Sequence, residues 1–203
     1  MELFVRLSAV AVPLLEDDID TDIIIPSREI TTTGKTGLAA GLFAGRRYLA
    51  GRIPDPAFIL NRPDYVDAGI LLAGANFGSG SSREHAVWAL REYGFRAVVA
   101  PSFSPIFAGN CVRNGMLAAV LDAASIGHLA AAGQPVAIDL PGQTITAADA
   151  RSFAFAVDAE AKAMLLDGLD AIALTLQSAD AIAAWQAADR TERPWIYLAK
   201  SGV

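Results

Sequence analysis

The chain is poor in the residues that most often announce chemistry: its 203 residues hold one cysteine, Cys111, and two histidines, His85 and His128. One thiol cannot close an intrachain disulfide, and no metal site built from cysteines alone is open to it. Clustered positive charge is also missing. The 16 Lys and Arg residues are scattered among 22 Asp and Glu residues, for a net charge of −6, which argues against nucleic acid or an anionic membrane as the main partner. No run approaches the roughly twenty apolar residues of a membrane helix. The start, Met1-Glu2-Leu3-Phe4-Val5-Arg6, lacks the basic opening and long apolar core of a signal peptide, so a cytoplasmic location is expected. Repeats and low-complexity tracts are absent as well.

What is present is apolar and small. Hydrophobic residues make up 53% of the chain and charged residues 19%, which describes a compact globular chain with enough material for one substantial core. A single domain spanning residues 1–203 is expected. Strand-like runs alternate with helical periodicity, and that alternation indicates an α/β fold.

One stretch stands out, Gly78-Ser79-Gly80-Ser81-Ser82-Arg83-Glu84-His85-Ala86. Before it lies the apolar run 69–73, which reads as a buried strand, and after it residues 84–93 carry apolar side chains at helical spacing. Strand, glycine-rich turn and helix start follow in order. Ser81, Ser82 and Arg83 then fall in the first helical turn, where unpaired N–H groups and the helix dipole favour an anion. Arg83 adds a planar fork that matches a carboxylate. Ser81-Ser82-Arg83-Glu84 is equally a capping box, with Ser81 capping and Glu84 reaching back, and spacing alone favours that plainer reading. The stretch is no dinucleotide fingerprint, because Arg83 occupies the third glycine position, and neither a P-loop nor a G-x-S-x-G elbow is present.

Elsewhere the punctuation is clear. Residues 2–12 alternate weakly as a strand that Pro13 interrupts, and the acidic cluster at residues 16–22 reads as a turn whose Asp side chains bond nearby backbone. Residues 27–47 are irregular and polar, with a short helix expected at 38–43; Arg52 to Asp67 reads as an extended connection. Residues 97–100, 117–121, 136–140, 145 and 153–157 read as strands, with helices at 105–112, capped by Ser104, and at 123–132, capped by Asp122. Helical patterns return from about residue 159. Cys111 reads as a packing residue and His128 as surface or packing.

The Gly78–Ala86 stretch resembles the signature of the swivel domain in the aconitase superfamily, whose members carry Cys or another residue at the position of Ser79. The resemblance continues in Asp18-Ile19-Asp20-Thr21-Asp22-Ile23-Ile24-Ile25-Pro26, in residues 94–110 and in residues 166–176. All occur in the order of the 3-isopropylmalate dehydratase small subunits, so nearly the whole chain is covered. The resemblance implies a three-layer β/β/α swivelling domain, with mixed sheets flanked by helices.

It also implies roles. Ser81 matches the family's catalytic base, Arg83 its substrate-carboxylate ligand and Ser82 a second substrate contact. Asp20 and Asp22 lie near the family's cleft, and the loop at 27–47 folds over the substrate and recognises its variable group. Arg28, Lys35, Arg46 and Arg47 are loop cations that join the candidates. Where aconitase has another substrate arginine, ahead of Asp17, this chain has Pro13, Leu14 and Leu15, which suits an alkyl group.

The implied reaction interconverts 2-isopropylmalate and 3-isopropylmalate by dehydration and rehydration, in leucine biosynthesis. The implied partner is an iron–sulfur large subunit, which holds a [4Fe–4S] cluster, in a heterodimer or higher hetero-oligomer; this chain itself is expected to bind no metal or cofactor, since such a cluster needs several thiolates. The small subunits of homoaconitase, citraconate or 2-methylmalate hydratase and dimethylmaleate hydratase share the motif and remain alternatives, as does a non-catalytic paralogue that merely binds a carboxylate.

Overall fold

The computed structural model describes residues 2–197, which fall into two compact units, the first ending at Gly168 and the second beginning at Leu169. The first opens with β1 (Arg6–Leu14), followed by two short helices, α1 (Thr21–Ile24) and α2 (Ala44–Arg47), joined by irregular chain. Then come β2 (Ala68–Ala73), α3 (Glu84–Tyr93), β3 (Ala97–Ala100), α4 (Pro105–Arg113), β4 (Leu117–Val120) and α5 (Ala123–Ala131). A meander of β5 (Val136–Asp139), β6 (Thr144–Thr146) and β7 (Ser152–Ala154) leads to α6 (Ala159–Asp167).

The helix ends follow local chemistry. Asp122 caps α5 by accepting from the Ser125 N–H at 2.9 Å, and Asp158 caps α6 by accepting from Glu160 and Ala161. Pro105 fills the first position of α4, where a missing N–H costs nothing. Residues 38–43 hold only a 3-10 turn, Ala39–Gly41, and the helix expected there begins later, at Ala44. Phe43 takes a left-handed conformation at the junction, which breaks continuity.

The seven strands run in the order β4-β3-β2-β1-β5-β6-β7. The first four are parallel, whereas β1, β5, β6 and β7 pair antiparallel. β1 therefore serves two ladders: Arg6 to Ala9 pair with β5, and Val10 to Leu14 with β2, with a register shift between Val10 and Ala11. Successive side chains of the parallel strands point to opposite faces. Val12, Leu71, Val98 and Ala100 join a core with α3, α4 and the loop residues Leu38, Leu42 and Phe43. Ala11, Ile70, Leu72 and Val99 join a second core with α5, Val136, Ile138, Ile145 and Phe155. Helices, parallel sheet and antiparallel strands thus form the β/β/α layers of an α/β fold.

Pro13 does not end β1, contrary to the sequence reading. The Gln134 side chain takes both the N–H and the C=O of Ala11, each at 2.8 Å, on the side away from β2. Pro13, two residues on, faces that same side beyond the end of β5, so its missing N–H breaks no ladder bond.

The second unit holds α7 (Ala171–Leu176) and α8 (Ala179–Glu192). Asp170 caps α7, accepting from Ala173 N–H at 2.7 Å, and Asp189 ties the end of α8 to the Tyr197 hydroxyl at 2.6 Å. Among the described residues no helix is long and apolar enough to cross a membrane.

Candidate active site

In an open parallel sheet the chain leaves the carboxyl ends of neighbouring strands on one edge, where ligands can be reached by several loops at once. Here the segments following β1, β2 and β3 meet on that edge. Gly74 N–H donates to the Glu16 carbonyl at 3.1 Å, Asp18 N–H to Ala75 at 2.9 Å, Gly78 N–H to Ile19 at 2.7 Å and Thr21 N–H to Ser79 at 2.9 Å. Asp20 and Ser79 form a parallel bridge, as do Phe77 and Phe103. The acidic turn is consumed in the same stitching. Asp17 accepts from Ala75 N–H at 2.6 Å, Asp18 from the Asn76 amide at 2.7 Å, and Asp20 caps α1 through the Ile23 N–H at 2.7 Å. Gly78, at φ 74°, packs so closely on Phe107 that a Cβ there would lie 2.2 Å from the ring. The turn is seated by contacts only glycine permits.

The capping box does not form. α3 starts at Glu84 with Arg83 in the cap position and no side-chain cap, so Ser81, Ser82 and Arg83 precede the helix rather than belonging to its first turn. Glu84 turns instead to Asn114, whose Nδ2 donates to its carboxylate at 2.6 Å. A residue beyond the local window won the competition for that side chain. Ser81 is left exposed, with its hydroxyl 3.2 Å from the Thr21 hydroxyl. Ser82 is exposed beside it. The Arg83 guanidinium pairs with Asp22 and holds that carboxyl below the usual carboxylate range.

Asp20 and Asp22 line a cleft of about 500 Å³ together with Ile23, Pro26, Ser27, Arg28, Gly45 and Arg46. A cavity of that size suits a small molecule. Arg28 is exposed, its Nε 3.6 Å from Glu29, while Arg46 donates to Glu16 at 2.6 Å. Arg47 is built into the scaffold, bonding Asn61 and lying 4.7 Å over the Tyr93 ring. Lys35 stands apart from the cleft: its ammonium donates to Asn114 Oδ1 at 3.1 Å and lies 5.3 Å over the Trp88 ring.

The irregular loop is held to α3 at a second place. Glu92 accepts from the N–H groups of Gly37, Leu38 and Ala39 at 2.6, 2.5 and 2.8 Å. Gly37, at φ 85°, lets the chain turn those groups toward one carboxylate. Asn114, 5% exposed, takes the Lys35 and Trp88 donors on Oδ1 and gives its amide to Glu84 and the Asn110 carbonyl. Neither Glu92 nor Asn114 carries a sequence signal, because Glu92 meets Gly37, Leu38 and Ala39, and Asn114 meets Lys35, Trp88 and Glu84, across more than twenty residues of chain.

An iron–sulfur cluster does not fit this chain's own residues. Cys111 is fully buried, burial pushes its thiol well up, and among the described residues no three His, Cys, Asp or Glu side chains converge on a metal position. His85 packs edge-on against Trp88 at 4.7 Å, and His128, on α5, bonds Asp149 at 2.8 Å.

The architecture and the motif both have counterparts among known proteins. The family model of the Aconitase C-terminal domain matches residues 1–124, and that of the C-terminal domain of the 3-isopropylmalate dehydratase small subunit matches residues 172–198. The 3-isopropylmalate dehydratase small subunit of Cupriavidus necator is 54% identical, over 98% of this chain and 99% of its own. That of Sinorhizobium fredii is 46% identical, over 96% of this chain and 100% of its own. Among solved structures, the 3-isopropylmalate dehydratase of Methanocaldococcus jannaschii superposes with a TM-score of 0.67 at 28% identity, covering 88% of this chain and 99% of that one. With identity of this level over nearly its full length, the chain belongs to the aconitase C-terminal domain family and, within it, to the 3-isopropylmalate dehydratase small subunits.

Proposed function

We propose that this chain acts as the small subunit of a 3-isopropylmalate dehydratase, a hydro-lyase of leucine biosynthesis that interconverts 2-isopropylmalate and 3-isopropylmalate and turns over only when joined to its large subunit. The observation that carries the reading is the stitched turn: Ser81, Ser82 and Arg83 stand free of helix capping at the carboxyl edge of the parallel strands, beside the cleft that Asp20 and Asp22 line.

The reaction needs a base for a proton on carbon next to a carboxylate, and an electrophile and acid for the departing hydroxyl. Ser81 is the base in this reading. Ser81 enters the step as the alkoxide: as it takes the proton, the C–H pair becomes the double bond and the hydroxyl leaves as water with a proton from the acid of the assembled site; rehydration gives that proton back to the acid and the Ser81 proton back to carbon, so Ser81 ends each cycle as it began. Arg83 grips a substrate carboxylate, for which Asp22 holds the place in the free subunit. Ser82 positions the same carboxylate, and Asp20, Arg28 and Arg46 complete the surroundings, while Lys35 stays engaged with Asn114 apart from the cleft. The electrophile belongs to the large subunit, where a [4Fe–4S] cluster is expected; the only cysteine of this chain is buried away from solvent.

Anaerobic reconstitution with the large subunit tests the reading, using 2-isopropylmalate, citraconate and homocitrate as substrates. Preferential turnover of isopropylmalate that needs both chains, and is abolished by Ser81→Ala, is expected. Preference for another substrate moves the activity within the same class. A fully assembled complex in which Ser81→Ala turns over normally removes the base assignment.

A further inference from the structure

The acidic segment contributes more to the turn than its two carboxylates. Thr21 lies between Asp20 and Asp22 at the first position of α1, and it is 2% exposed. Its place is fixed on both sides of the turn. Its own N–H donates to the Ser79 carbonyl at 2.9 Å, and its hydroxyl oxygen is 3.4 Å from the spot a Cβ on Gly80 would occupy. That hydroxyl is 3.2 Å from two atoms of the same residue, the carbonyl oxygen and the hydroxyl of Ser81.

A hydroxyl has one proton and two lone pairs, so Thr21 can serve one of those acceptors as a donor while receiving from the other. We infer that Thr21 is a positioning residue for Ser81, acting through a hydroxyl whose proton points to the Ser81 carbonyl while Ser81 is neutral, holding the proton taken from substrate, and turns to the Ser81 oxygen when that proton has gone back to carbon and left the alkoxide. The inference rests on the reading of Ser81 as the base. In the neutral state Ser81 donates to Thr21, which fixes its rotamer. In the ionised state the Thr21 proton supplies a charge-assisted bond, the kind of interaction that strengthens where charge develops. Thr21 neither gains nor loses a proton. Rotation about one C–O bond is the whole of the change, and burial of the threonine keeps water from substituting for it.

Other side chains near the turn are differently engaged. Asp20 is occupied by the Ile23 N–H, Asp22 by Arg83, and Glu84 by Asn114. Thr21 is the group among the described residues with a hydrogen bond to the Ser81 side chain.

The test compares Thr21→Val, which keeps the shape and removes the hydroxyl, with Thr21→Ser, which keeps the hydroxyl and removes the methyl. Both are assembled anaerobically with the large subunit and assayed on 2-isopropylmalate, with thermal melting of each variant alongside. Loss of one bond to a charged oxygen predicts a fall in kcat of about 10- to 100-fold for Thr21→Val at nearly unchanged KM. Thr21→Ser is expected within about threefold of wild type. In a Ser81→Ala background Thr21→Val should cause no further loss. If Thr21→Val does not assemble, Thr21→Ala carries the same expectation. Wild-type kcat in the hydroxyl-free variant, or equal losses in Thr21→Val and Thr21→Ser, overturns the inference and leaves Thr21 a packing residue. Normal turnover by Ser81→Ala instead overturns the assignment on which it rests, so the two failures are told apart.

Discussion

Glu92 offers a measurable account of how the irregular loop between α1 and α2 is held. One carboxylate collects three consecutive backbone N–H groups, from Gly37, Leu38 and Ala39. Burial pushes this carboxyl up, but the three N–H donors outweigh it and hold the group below its ordinary value. A hydrogen bond to a charged group is worth roughly 1.5–3 kcal/mol when water is excluded, yet Glu92 is exposed, and the N–H groups it releases can return to solvent. The three bonds together are therefore worth about 1–2 kcal/mol rather than three times the dry value. Glu92→Gln, which removes the charge and one acceptor, should lower the melting temperature of the isolated subunit at pH 7 by about 3–6 °C. Amide exchange at residues 37–39 should accelerate. The sign with pH follows from linkage: a depressed folded pKa gives stability that is present above the unfolded value and lost as pH falls through the folded one. The gap between wild type and Glu92→Gln should accordingly narrow in acid. Equal melting temperatures and equal exchange at residues 37–39, both at pH 7, would refute the clasp.

Three further outcomes are expected. Gly78→Ala places a methyl 2.2 Å from the Phe107 ring, at φ 74°, in a site where Phe77 and Phe103 also pack on that ring. It should cost about 3 kcal/mol or more and lower the melting temperature by roughly 6–12 °C. Arg83→Lys keeps the charge but loses the planar fork, so the assembled enzyme should show a raised KM and a lowered kcat, with kcat/KM down about 10- to 100-fold. Cys111 should resist thiol reagents in the native subunit, because it is buried and its thiol is pushed up; labelling should track unfolding in denaturant.

Much of the scaffold is legible in the sequence where local rules operate alone. The run AVVA at residues 97–100, the Asp122 cap and Pro105 at the head of α4 each carry their own signal, and the strands and helices they predict form at those places. Local rules fail where distant chain competes. Ser81 and Glu84 have the spacing of a capping box, but Asn114, thirty residues on, claims Glu84. Pro13 should end a strand, but Gln134 marks the side of β1 on which an N–H is dispensable. Arg83 and Asp22 are both visible as candidates in the sequence, and their pairing across 61 residues is not. Thr21 carries no signal of its own beyond the motif in which it lies, since its contact with Ser81 depends on the parallel bridge between two loops.

The division of β1 between two ladders also bears on how the chain is made. β1 leaves the ribosome well before its partners: Val10 pairs with Ala68, and Arg6 meets Asp139 across 133 residues. At roughly 5–20 residues per second, the interval before β5 emerges is on the order of ten seconds. For that time the edge of β1 that β5 covers waits unpaired in the nascent chain, a template for pairing with another copy. Distant pairing of this kind also slows the final closure of the fold. The yield of native subunit thus depends on how well residues 6–14 are shielded during synthesis, independently of how stable the finished molecule is.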